Sequence, residues 1–355
     1  MTRRENILSL YRRAGYEKAP VQFELCPSLI ESYQKREKSD LPYDDYFGFS
    51  VKEVSDGILQ NPVDDEVYKR YYDVPLKPGT TIDMYGVAHE PGSEAAKHMT
   101  YMRNPLKTCD SLQKMQEYPY PDFAHASYEH QAAEVAAIHA ADKLAFGNVS
   151  NTVWEWAWYI RGMEELMMDM MTGDPMAEFI LDKTMEISIK RAEQFAKAGC
   201  DYLLLGDDVG MQKSVMMSED MYCSWLKPRL KNVIDHARKI KPDILIMYHS
   251  CGYVEPFIPH FIDAGVDILN PVQPECMDFK KIHQMYGDRL SFNGTLGTQT
   301  VMPFGTPDDV RRKVFENLEI AGDKGGLLCC PTHMLEPEVP WENILAYVKA
   351  CEDFK

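Results

Sequence analysis

The feature that most constrains this chain is an alternation of short apolar runs with amphipathic stretches of helical period. Runs at residues 20–25, 82–88, 144–149, 202–205, 244–248, 268–272, 290–293 and 327–330 have the length and content of buried strands. Between the later runs lie helical stretches of suitable length, the βαβ pattern of a parallel sheet. Eight such strands with helices outside predict a closed (β/α)8 barrel as one domain over residues 1–355. Barrels of about 250 residues plus insertions reach this length. A doubly wound sheet is the competing architecture, yet no G-x-G-x-x-G turn accompanies the runs.

Helix starts are well marked. Thr306-Pro307-Asp308-Asp309 sets an N-cap, a proline at the first helical position and acids in the first turn, ahead of Val310, Val314 and Leu318. Ser218-Glu219-Asp220 opens another helix, which Pro228 must kink or divide. Residues 26–145 are less regular and read as an N-terminal elaboration over one barrel mouth. A formal charge of −17 argues against a nucleic-acid groove or an anionic membrane surface. No apolar run reaches the ~18 residues of a membrane span, and the charged N-terminus does not read as a signal peptide. Nine cysteines, an odd number scattered along the chain, suit a reducing cytoplasm rather than a disulfide framework.

The chemistry concentrates where apolar runs end. In Asp243-Ile-Leu-Ile-Met-Tyr-His-Ser-Cys-Gly252, strand alternation turns Leu245, Met247, His249 and Cys251 to one face. Imidazole and thiolate are preferred zinc ligands, and i, i+2 spacing lets both reach one ion. His-x-Cys alone equally describes a hydrogen-bonded histidine beside a buried thiol. Gly325-Gly-Leu-Leu-Cys-Cys-Pro-Thr-His-Met-Leu-Glu336 adds Cys329, Cys330 and His333; the two cysteines also read as core, whereas His333 lies in a polar loop. Barrel strand ends open onto a common face, so these donors are candidates for one site. Asp207 and Asp208 at another run's end suit acid–base work, substrate orientation or a helix cap. Gln212, Asn270, Gln273 and Gln299 repeat the pattern of polar groups at strand ends and are candidate substrate contacts, as is Glu336. Trp154 and Trp156, with Trp158, could floor a pocket for a flat macrocycle or an apolar substrate, or pack between layers. Met167, Met168, Met170 and Met171 read as gap-filling core, and His89 and Glu90 as mouth residues.

Together these motifs resemble the uroporphyrinogen decarboxylase superfamily, most closely its methyltransferase-related branch. The resemblance covers most of the chain, through Gly206-Asp-Asp, His249-Ser-Cys-Gly, Asn270-Pro-Val-Gln, Phe304-Gly-Thr-Pro and Pro340-Trp-Glu-Asn343. It implies a (β/α)8 barrel. True decarboxylases carry an arginine-rich N-terminal signature for the porphyrinogen carboxylates, but Phe23-Glu-Leu-Cys-Pro-Ser-Leu has none. Methylcobamide:coenzyme M methyltransferases and related corrinoid-dependent enzymes bind zinc through His-x-Cys and a later cysteine. His249 and Cys251 match the first part, and His333 stands where the later cysteine is expected, with Cys329 or Cys330 as substitutes.

The resemblance therefore implies zinc-dependent methyl transfer between a corrinoid, free or carried on a partner protein, and a small thiol or related acceptor. The metal ligands would be His249, Cys251 and His333. Competing readings are a metal-independent decarboxylase on a smaller substrate, using Asp207 or Asp208, and a corrinoid- or tetrapyrrole-binding accessory. No local feature encodes an oligomeric state, and a homodimer stays open.

Overall fold

A computed structural model describes residues 1–92 and 99–354. Its strands are β1 (Val51–Val54), β2 (Thr81–Ile82), β3 (Ala88–Glu90), β4 (Tyr101–Arg103), β5 (Leu144–Ser150), β6 (Tyr202–Gly206), β7 (Leu245–His249), β8 (Ile268–Asn270), β9 (Ser291–Asn293) and β10 (Leu327–Leu328). Seven make one sheet in the order β1-β5-β6-β7-β8-β9-β10, and every pairing in it is parallel. The sheet curls, because Tyr11 reaches two of its strands that are not neighbours. Its ring lies 6.5 Å from Tyr202 of β6, and its hydroxyl accepts from Asn293 Nδ2 of β9 at 2.7 Å.

Two expected strands behave differently. Segment 20–25 makes a single parallel bridge, Leu25 to Leu335, and no ladder. Its first residue, Pro20, has no N–H to donate. Residues 82–88 split between β2 and β3 of a small antiparallel sheet, β2-β3-β4. The Asp83 carboxylate takes the backbone N–H groups of Tyr85 and Val87, and this side-chain competition turns the chain where a strand was expected. The place in the parallel sheet goes instead to β1, whose Val-Lys-Glu-Val is too short and too charged to stand out. The region 26–145 is thus not wholly an elaboration, since β1 belongs to the parallel sheet and the helix Glu129–Ala140 packs on β1 and β5.

Helices Pro175–Ala198, Lys227–Ile240, Ile258–Ala264, Phe279–Tyr286 and Pro307–Ala321 return the chain between successive strands from β5 to β10. Thr306 caps the last of them in a reciprocal box with Asp309. Pro228 has the expected effect: a π-helical turn, Tyr222–Leu226, separates Glu219–Met221 from Lys227–Ile240. Leu203, Leu205, Ile246 and Tyr248 face the helices and are buried. Asn148, Ser150, Leu204, His249 and Asn270 face the lumen and keep partial exposure. Of Met167, Met168, Met170 and Met171 on the helix Met163–Thr172, only Met170 is buried; Met168 and Met171 face solvent. No described helix is long and apolar enough to cross a membrane.

The helix Pro175–Ala198 lies so close to β5 that a Cβ on Gly147 would sit 2.2 Å from Phe195 Cγ. Gly147→Ala is therefore expected to cost about 1–3 kcal/mol through overpacking. Urea unfolding should show a lowered midpoint at unchanged slope.

Candidate functional site

The parallel register sets Ser150, Gly206, His249 and Asn270 in one row across β5 to β8. Gly206 is required there, because a Cβ would lie 2.7 Å from both His249 Cβ and its carbonyl oxygen. His249 Nε2 points towards Cys251 Sγ at 3.3 Å, and Asp208 Oδ1 lies 3.7 Å from the same nitrogen. Asp208 also accepts the Cys251 backbone N–H at 2.7 Å, tying the loop after β6 to the loop after β7. Gly252, at φ +83°, makes the turn that follows, and its N–H donates to Gln273 Oε1 at 3.0 Å.

Donor atoms of Asp208, His249 and Cys251 all lie within 4.8 Å of one another, the group among the described residues able to hold a metal ion. His333 is not in it. It is an exposed residue of the loop after β10, and Asp208 is the third member of the group. Cys329 and Cys330 are buried elsewhere: Cys329 Sγ accepts from Thr295 Oγ1 at 3.6 Å, and Cys330 Sγ donates to Asn293 Oδ1 at 3.3 Å.

The two adjacent aspartates part company. Asp207 is 3% exposed and caps the helix Trp154–Arg161 by accepting the N–H groups of Val153 and Glu155. Asp208 faces the donor cluster. Beside them stands Glu155, which accepts from Tyr159 Oη at 2.7 Å and from the Asp208 N–H at 3.1 Å. Burial, then the Asp208 charge, pushes Glu155 up to about 7. Burial and Glu155 hold Asp207 well above the usual carboxylate range, and burial with Asp208 raises the Cys251 thiol. Among the described residues no lysine or arginine pairs with Asp207, Asp208 or Glu155. The nitrogen, sulfur and oxygen donors of His249, Cys251 and Asp208 are a set that suits a borderline-soft divalent ion.

The other candidates are placed as follows. Trp154 is fully buried and cannot floor a pocket, whereas Trp156 is half-buried and stacks on Tyr85 at 3.7 Å. Gln212, on an exposed hairpin tip, accepts from Cys276 Sγ at 3.5 Å. Gln299 is exposed, its N–H on Glu275, and Glu336 is partly buried after Leu335. His89 pairs with Asp83, and Glu90 with Lys77 and Arg103. Sequence reasoning passed over Glu155; the signal was there, a lone acid inside the aromatic run Val153-Trp-Glu-Trp156. Below the row, a cavity of about 490 Å³ is lined by Gln22, Glu24, Glu53, Phe146, Asn148 and Leu204, among others.

Residues 83–354 match the sequence profile of uroporphyrinogen decarboxylase (URO-D). The chain belongs to the URO-D family. Over 203 residues it is 26% identical to the methylated-thiol–coenzyme M methyltransferase of Methanosarcina mazei, covering 56% of this chain and 50% of that protein. The match thus spans half the length of that relative. A solved methyltransferase from Methanosarcina mazei superposes with a TM-score of 0.69 at 18% identity, over 100% of this chain and 99% of its own. The two share a fold across their full lengths.

The carboxyl cluster has a consequence for stability. Because Glu155 is raised from 4.5 to about 7 when folded, the folded state holds a proton that the unfolded chain has released. Stability in chelator should therefore fall as pH rises from about 5 to about 8, by up to roughly 3 kcal/mol from this group. Urea midpoints should show the fall, and Glu155→Gln should flatten it.

Proposed function

We propose that this chain is a zinc-dependent methyltransferase that moves a methyl group between a corrinoid and a small thiol. The observation that carries the reading is the convergence of Asp208, His249 and Cys251 donors within 4.8 Å at the strand ends. Membership of the URO-D family and the activity named for the Methanosarcina mazei relative support it. We read the curled seven-stranded sheet, with segment 20–25 at its seam, as a (β/α)8 barrel acting as a single domain. The sheet β2-β3-β4 would cover its mouth, since Tyr85 of the β2–β3 turn stacks on Trp156.

His249 Nε2, Cys251 Sγ and Asp208 Oδ1 would hold the zinc. Zinc held there would supply a substrate thiol in its nucleophilic thiolate form, ready to accept a methyl group from a corrinoid. Asp208 fixes the Cys251 backbone, Gln273 fixes the turn after it, and Glu155 accepts the Asp208 N–H and so positions the Asp208 backbone. The Trp156–Tyr85 stack offers a flat apolar wall near the mouth. Porphyrinogen decarboxylation fits poorly: Glu24 and Glu53 line the cavity and would repel a polycarboxylate.

Protein purified without chelator should carry near-stoichiometric zinc by elemental analysis. A His249→Ala, Cys251→Ser double variant should lose it, Asp208→Asn should bind more weakly, and His333→Ala should retain it. Methyl transfer from methylcobalamin to a thiol should stop with zinc removal. Metal-free protein with an intact circular dichroism spectrum, or transfer indifferent to chelators, would overturn the proposal.

A further inference from the structure

The imidazole of His249 is held from behind by a chain of amides, and their partners determine which way each one faces. His249 Nδ1 lies 2.6 Å from Asn270 Oδ1. Asn270 Nδ2 lies 3.0 Å from the backbone carbonyl of Asn293 and 2.7 Å from its Oδ1. A backbone carbonyl can only accept, so the amide nitrogen of Asn270 must face Asn293 and its oxygen must face the imidazole. An oxygen acceptor there requires the proton on Nδ1. In the neutral ring the lone pair is then on Nε2, directed at Cys251 and Asp208.

The second amide is constrained in turn. Asn293 Oδ1 accepts from Asn270 Nδ2 and from the Cys330 thiol, so Nδ2 is left to donate to Tyr11 Oη at 2.7 Å. Asn293 is 5% exposed and Tyr11 1%. A swing of either amide would leave a buried polar atom unpaired, at a cost of about 1–3 kcal/mol.

We infer that Asn270, Asn293 and Tyr11 are positioning residues that hold His249 in its Nδ1–H tautomer with Nε2 free to ligate. The N-terminal helix Arg3–Tyr11 thereby reaches across the barrel floor to the candidate ligand. Asn270 serves as the orienting partner of a ligand, in place of the substrate contact expected at that position. The buried Cys330 thiol belongs to this network. The consequence for zinc rests on the proposed function above; the tautomer does not.

The test uses the full chain labelled with ¹⁵N-histidine, held near pH 8.5, well above the ~6.5 of an ordinary imidazole. Long-range ¹⁵N–¹H spectra, with His249 assigned through His249→Gln, should show the Nδ1–H tautomer in wild type. The same tautomer is expected in Asn270→Asp, which keeps the acceptor, and a mixture in Asn270→Ala. Competition with a chromophoric chelator should show zinc binding weakened about 10–100-fold in Asn270→Ala, less in Tyr11→Phe, and retained in Asn270→Asp. An Nε2–H tautomer in wild type overturns the inference. So does an Asn270→Ala variant with unchanged tautomer and zinc affinity. Should wild type take up no zinc, the metal reading fails, and the wild-type tautomer still decides this one.

Discussion

Parallel pairing brings Ser150, Gly206, His249 and Asn270 side by side, and the candidate site depends on that row. In a parallel sheet all strands finish at the same end, so polar residues at those termini share one face. A slip of one residue in any pair would turn His249 or Asn270 into the helix layer. Gly206 makes the row possible, since the backbone of β7 comes too near for any side chain there. The loops after β6 and β7 are then short enough for Asp208 to cap the Cys251 backbone. Strand pairing places His249, and the bond between the two loops places Asp208 and Cys251 beside it.

The charge arrangement is unfavourable in isolation. Asp207, Asp208 and Glu155 gather beside a raised thiol with no lysine or arginine to offset them among the described residues. Burial favours the neutral forms, and each carboxylate makes its neighbours harder to ionise. Departures of this kind from local optimisation concentrate at working sites. Asp207 is accommodated by capping a helix, its carboxyl oxygens accepting the N–H groups of Val153 and Glu155. Asp208 has no such outlet and faces the imidazole and thiol.

Much of the architecture was legible in the alternating runs. Those at 144–149, 202–205, 244–248, 268–272, 290–293 and 327–330 correspond to β5 through β10 in position and order. The N-terminal third was not, because strand-like content there competes with local hydrogen bonding. Asp83 converts 82–88 into a turn between two antiparallel strands, while β1 hides behind a lysine and a glutamate. The lumen side of β1 tolerates Glu53 because the cavity is open to solvent, so the apolar signal of a buried strand is missing.

At the site, sequence alone marked His249 and Cys251 as neighbouring donors at a strand end. It also marked both aspartates as terminal residues. The strand stops at His249, and the Asp208 carboxylate on the Cys251 N–H places the thiol beyond it. Which aspartate turns inward, that Asp208 joins the donor group and His333 does not, and that Asn270 serves the imidazole were all decided by tertiary structure. Those outcomes depend on contacts between residues 21 to 54 apart in the chain. No local pattern encodes such contacts; they arise only when the sheet curls and brings the strand ends around one lumen.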